Sequence, residues 1–187
     1  MRDAQIEDIA RAVGINRAII YRHFTGKEEL FALTLVSYLD ELDDALGNDD
    51  PAGTPEQRLA AMTETFVDYG LAHPAFVDCA LTLMRRPGPE LLEEVSEGAL
   101  FQLGRSIASC LSRLTSVLTA GVQAGVFHND DVDVLANTLY AMGLGGLQLA
   151  RVGMLVAESA PGRPTVATID AERVKQHLVA AALAMAR

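Results

Sequence analysis

Between Asn16 and Lys27 the chain gathers Arg17, Tyr21, Arg22, His23 and Lys27, side chains that can meet an anion, around small Ala18 and apolar Ile19. These types suit recognition of a nucleic acid better than catalysis. A guanidinium such as Arg17 can bridge O6 and N7 of a guanine, Ala18 lets the backbone come close, and Ile19 can touch a thymine methyl. Tyr21, His23 and Lys27 suit phosphate oxygens. Lys27 also falls in the first turn of a following helix, whose free N–H groups add anion affinity. Arg22 lies on the same exposed side.

Such side chains work only if a scaffold presents them. Ile6, Ile9, Ala10 and Val13 share one face of a short helix over about residues 6–12, with Glu7, Asp8 and Arg11 opposite. Gly14 stops it, and Asn16, whose side chain can accept from the free amides of a first turn, starts a second helix reaching about His23. Two short helices joined by a glycine turn make a helix-turn-helix. Ile20 and Phe24, four apart, turn inward toward Ile6, Ile9 and Val13, which leaves Arg17, Ala18, Ile19, Tyr21 and Arg22 to a groove.

Total charge argues the other way. The 187 residues hold 15 Lys and Arg against 25 Asp and Glu, a net of −10, and so acidic a surface repels nucleic acid. The average hides a division. Residues 1–27 carry a net of +2 and residues 28–187 a net of −12. With a Debye length of about 8 Å at physiological salt, the acidic body is largely screened from a basic tip.

The rest of the chain repeats its apolar residues at three and four positions, and no segment of useful length alternates as a strand does. The expected class is all-α, with about nine helices. Thr54-Pro55-Glu56-Gln57 supplies an N-cap, a first-turn proline and a capping-box partner. Breaks are expected at 47–51, at His73-Pro74, at Pro87-Gly88-Pro89 and after Ala124-Gly125. A long helix from about Asp130 to Leu155, a mobile connection over 156–169 and a last helix capped by Asp170 complete the order. The uncharged run from Val134 to Ala150 is too short for a membrane span and carries Asn137, Thr138 and Gln148. It reads as a buried helix. Cys79 and Cys110 form no CxxC pair, and Met1 to Gln5 lead into no signal-peptide pattern, so a reducing cytoplasm is expected. His23, His73, His128 and His177 lack metal-ligand spacing and no nucleophile or phosphate-loop motif occurs, so neither an enzyme nor a metal or other cofactor is expected.

Residues 6–30 resemble the DNA-binding signature of the TetR family of transcriptional repressors. The positions that carry the likeness are Ile9-Ala10, Gly14-Ile15, Ile20-Tyr21, His23-Phe24, Lys27 and Leu30. So many positions in one register argue against reading Arg17, Arg22 and Lys27 as ordinary solvated charges. Asn16 stands where that family usually has Ser or Thr, and still caps. The likeness also implies a further helix ahead of Ile6, where only five residues stand; without such cover the reader would be several kcal/mol less stable, at roughly 25 cal/mol per Å² of apolar surface.

The resemblance implies a helix-turn-helix domain over residues 1–30 and a ligand-binding and dimerisation domain over 31–187. It implies a homodimeric repressor on an inverted-repeat operator in double-stranded DNA, released by a small-molecule effector, with no membrane partner. Asn16, Arg17, Ala18, Ile19, Tyr21, Arg22, His23 and Lys27 are the expected DNA contacts. Met62, Phe66, Tyr69, Phe76, Met84 and Phe101 are candidate cavity-lining side chains, an apolar set that favours a hydrophobic or amphipathic ligand. Gly143, Gly146, Leu178 and Ala182, on the last two long helices, are candidates for the dimer interface, because mid-helix glycines are best explained by close helix approach. The alternative is a helical small-molecule-binding or interaction protein that no longer binds DNA.

Overall fold

A computed structural model of the chain describes residues 26–48 and 50–187. Over these residues the order is α1 (Lys27–Leu46), α2 (Pro55–Ala72), α3 (Pro74–Met84), α4 (Gly88–Glu94), α5 (Glu97–Gln123), α6 (Val132–Val152), β1 (Met154–Ala160), β2 (Arg163–Thr168) and α7 (Ala171–Ala186). The two short helices expected before residue 25 lie outside the described residues. The all-α class holds, with one small hairpin added.

Helix starts follow local chemistry. Thr54 Oγ1 accepts from the Gln57 amide at 3.3 Å while Gln57 Oε1 accepts from the Thr54 amide at 2.9 Å, a closed capping box. Ser96 caps α5, Asp131 caps α6 by accepting from the Val134 amide at 3.0 Å, and Asp170 caps α7 by accepting from the Arg173 amide at 2.7 Å. Gly125, at φ 72°, follows the end of α5.

Leu35, Leu39 and Leu42 of α1, Leu59 and Val67 of α2, Phe76 of α3, Val117 and Leu118 of α5 and Leu144 of α6 form a continuous buried core. Helix α1 packs chiefly on α5 and α3, α2 on α7 and α5, and α6 on α7. None of the helices among the described residues is long and apolar enough to cross a membrane.

The stretch expected as a mobile connection is ordered differently. Helix α6 ends at Val152 rather than Leu155, because Gly153 takes the left-handed conformation at φ 67° that terminates a helix. Antiparallel β1 and β2 follow, pairing Leu155 with Ala167 and Val156 with Val166, with an irregularity between Glu158 and Ala160. Pro161-Gly162 turns the chain, with Gly162 at φ 74°. The Ile169 amide donates to the Gly153 carbonyl at 3.0 Å and closes the base of the hairpin. The apolar residues here are interrupted by Ala, Glu and Ser, so alternation is too weak to mark strands. The Pro-Gly pair was the available signal.

Candidate functional site

A cavity of about 70 Å³ lies inside the helical body. Five helices line it: α1 through Leu39, Leu42 and Leu46, α2 through Met62, Thr63 and Phe66, α5 through Ile107, Cys110, Leu111 and Leu114, α6 through Leu139, Tyr140, Met142 and Gly143, and α7 through Leu178 and Ala182. The wall is almost wholly apolar. Thr63 Oγ1 donates to the Leu59 carbonyl at 2.8 Å and Cys110 Sγ to the Leu39 carbonyl at 3.3 Å, so both spend their protons on the backbone.

Aromatic rings fix one side. Phe66 meets Tyr140 edge to face with centroids 5.9 Å apart, and meets Phe76 in the same manner at 5.9 Å. Burial holds the Tyr140 phenol well above its usual range, so it stays protonated. The same cause pushes the Cys79 and Cys110 thiols up to about 12, which keeps both as thiols rather than reactive thiolates. Charges near the α1–α5 side are paired: Asp43 takes a two-pronged bond from Arg113, at 2.5 and 3.0 Å, and Asp40 accepts from Ser106 Oγ at 2.7 Å. The Arg113 guanidinium holds the Asp43 carboxyl below its usual range, against the opposing effect of burial.

Helix α1 connects this cavity to the N-terminal segment. Its first turn is tied down by charge. Glu28 Oε1 accepts from Arg86 Nη2 at 2.9 Å and lies 3.2 Å from Lys27 Nζ, while Arg86 Nη1 stands 3.6 Å from Glu90 and 3.5 Å from Glu94. Ser96 Oγ donates to Glu29 Oε1. Burial disfavours the Glu28 charge, but hydrogen bonds from its own backbone, Lys27 and Arg86 outweigh it and lower the pKa. Carboxylates in a first turn also sit where the helix dipole favours them. Arg86 therefore ties the end of α3 and the whole of α4 to the head of α1.

Of the residues expected at DNA, Asn16, Arg17, Ala18, Ile19, Tyr21, Arg22 and His23 lie outside the described residues. Lys27 opens α1 and pairs with Glu28. Of the candidate cavity residues, Met62 and Phe66 line the cavity and the other four do not. Tyr69 shares its hydroxyl proton between the Tyr38 carbonyl at 2.9 Å and Glu41 at 3.0 Å, and Phe76 is core. Met84 is 52% exposed and Phe101 72% exposed, on outward faces of α3 and α5. The close approach expected of Gly143 and Gly146 is found within the chain: a Cβ on Gly143 would lie 2.6 Å from Phe66, and one on Gly146 would lie 2.6 Å from Leu178. Leu178 and Ala182 likewise face their own bundle, both buried and both lining the cavity. Within the single chain Gly143, Leu178 and Ala182 are buried and Gly146 is half-buried. Tyr140 was not among the candidates; a tyrosine amid Leu, Met and Gly was the sequence signal for it.

Residues 1–34 match the family model of bacterial regulatory proteins, tetR family. Among curated proteins, none matches. A bacterial regulatory protein in the tetR family from Rhodococcus RHA1 superposes with a TM-score of 0.66 at 18% identity, covering 96% of this chain and 84% of its own. The TetR family transcriptional regulator PfmR from Thermus thermophilus gives 0.63 at 20%, covering 96% and 87%. The ketosteroid transcriptional regulator KstR2 of Mycobacterium tuberculosis gives 0.60 at 22%, covering 96% and 82%.

Proposed function

We propose that this chain, a TetR-family protein by its N-terminal segment and its fold, is a transcriptional regulator that represses from an inverted-repeat operator and lets go when a small apolar molecule fills the cavity. One observation carries the reading. The segment matching the family model runs into α1, and α1 runs on into the cavity wall. At 1.5 Å per residue its twenty residues form a rod of about 30 Å. An occupant that displaces Leu39, Leu42 and Leu46 at one end therefore moves Lys27 and the preceding reader at the other. The shift can be no larger than the difference in the occupant's affinity for the two states.

A homodimer, working in the cytoplasm, is part of this proposal. Val134, Thr138, Ala141, Gly145, Leu149 and Val152 form an exposed stripe along α6. A Cβ on Gly145 would meet nothing within 4 Å, so its propensity penalty of about 1 kcal/mol is uncompensated within one chain. A second copy laid on this stripe supplies the missing neighbour, and its two-fold axis sets the two readers on an inverted repeat.

The test is selection of bound duplexes from random DNA, followed by gel shift on the enriched site. Enrichment of inverted repeats, loss of the shift in Arg17→Ala and Tyr21→Ala, and steep weakening by salt are the expected results. Undiminished binding by either variant would sink the proposal, and a flat salt response would remove the phosphate contacts.

A further inference from the structure

The cavity contains one polar group with nothing to bond. Thr63 and Cys110 donate to backbone carbonyls, and the remaining lining side chains apart from Tyr140 are apolar. Tyr140 lines the cavity from α6 and makes no hydrogen bond among the described residues. Its ring is held edge to face by Phe66, so the hydroxyl has a fixed bearing. In so apolar a setting a hydroxyl that has no partner within the chain gains a hydrogen bond when something that accepts a proton arrives.

Resting on the reading of this cavity as the effector site, we propose that Tyr140 Oη anchors the effector by donating to a single acceptor oxygen on an otherwise apolar, uncharged molecule. Burial keeps the phenol protonated, so it arrives as a donor. The effector is uncharged because no ionised side chain lines the cavity and the nearby carboxylates are already engaged, Asp43 by Arg113 and Asp40 by Ser106. Burying a charge there would leave it without a partner. At about 70 Å³ the space is about half of the roughly 150 Å³ that takes benzene, so even one substituted ring must push the wall outward as it enters, and nothing larger is expected.

Three probes of matched shape test this on the full chain by calorimetric or NMR titration: acetophenone, its hydrocarbon isostere α-methylstyrene, and benzoate. In the wild type, acetophenone is expected to bind about fivefold to tenfold more tightly than α-methylstyrene, the worth of one hydrogen bond. Benzoate is expected to bind at least about tenfold more weakly than acetophenone, as a buried unpaired charge requires. In Tyr140→Phe the first two probes should come within about twofold of each other through loss of acetophenone affinity alone. The thermal midpoint of Tyr140→Phe should not fall, because the hydroxyl has no partner to lose. Survival of the acetophenone preference in Tyr140→Phe, equal binding of acetophenone and α-methylstyrene to the wild type, or benzoate binding that equals acetophenone's overturns the anchor while leaving the cavity reading intact. Failure of all three probes to bind the wild type overturns the cavity reading as well.

Discussion

The ring of Phe66 rests directly on the backbone of Gly143, so close that a Cβ there would stand 2.6 Å from Phe66 Cε1. Both residues line the cavity, and the missing side chain is what lets α2 and α6 share its wall. Gly143→Ala must push Phe66 aside or part the helices. The expected result is a loss of about 1–3 kcal/mol in urea denaturation, the usual effect of overpacking, with weaker binding of small apolar probes. Stability equal to or above wild type would mean that the contact yields easily and does not shape the cavity.

The Glu28–Arg86 pair predicts a pH dependence with a definite sign. Glu28 has its pKa lowered in the folded protein, so its contribution is complete above the ordinary glutamate range and drains away as pH falls through the lower folded value. Asp43, lowered by Arg113, acts in the same direction. Urea midpoints recorded during acidification should fall more steeply for the wild type than for Glu28→Gln, which keeps Asp43 but removes this one proton. Parallel curves would show that Glu28 adds nothing. Arg86→Met, which leaves the Glu28 carboxylate to Lys27 and removes the tie to Glu90 and Glu94, should also weaken DNA binding by loosening the head of α1, even with no effector present.

The exposed stripe on α6 gives a third prediction. Ala141 is exposed within the chain, so Ala141→Arg should leave the protomer's own stability within about 0.5 kcal/mol. On a paired surface the same charge is buried without a partner. Sedimentation velocity should find wild type as a dimer and Ala141→Arg as a folded monomer with weakened affinity for the inverted repeat. A variant that stays dimeric would move the interface elsewhere on the surface.

The sequence showed the helices more clearly than the site, for reasons visible at single residues. Thr54, Pro55 and Gln57 act on groups within one turn, so local spacing is enough to read the start of α2, and Asp170 announces α7 in the same way. Gly143 and Gly146 announce that something comes close. What comes close, Phe66 and Leu178, depends on the rotation of three helices about one another and is not written in local spacing. Met84 and Phe101 show the converse: their size marks them as core candidates, yet the phase of their helices turns them outward. Tyr140 was hidden by its neighbours, since a phenol among Leu, Met and Gly reads as packing until its hydroxyl is found to lack a partner. The Val156–Val166 pair escaped because two short strands generate little alternation to detect.

That pair has a bearing on how the protein behaves in concentrated solution. Val156 is 80% exposed and Val166 67% exposed, on a sheet of only two strands. Each strand therefore keeps one side unpaired by any neighbouring strand, and such a side is a template on which another chain can add. Pro164 has no amide proton to offer an incoming strand, Arg163 brings a charge, and the irregularity between Glu158 and Ala160 interrupts the straight run that growth requires. The ribbon thus carries its own protection against stacking into fibrils, and replacing Pro164 with a β-former would remove one part of it while leaving Arg163 and the irregularity in place.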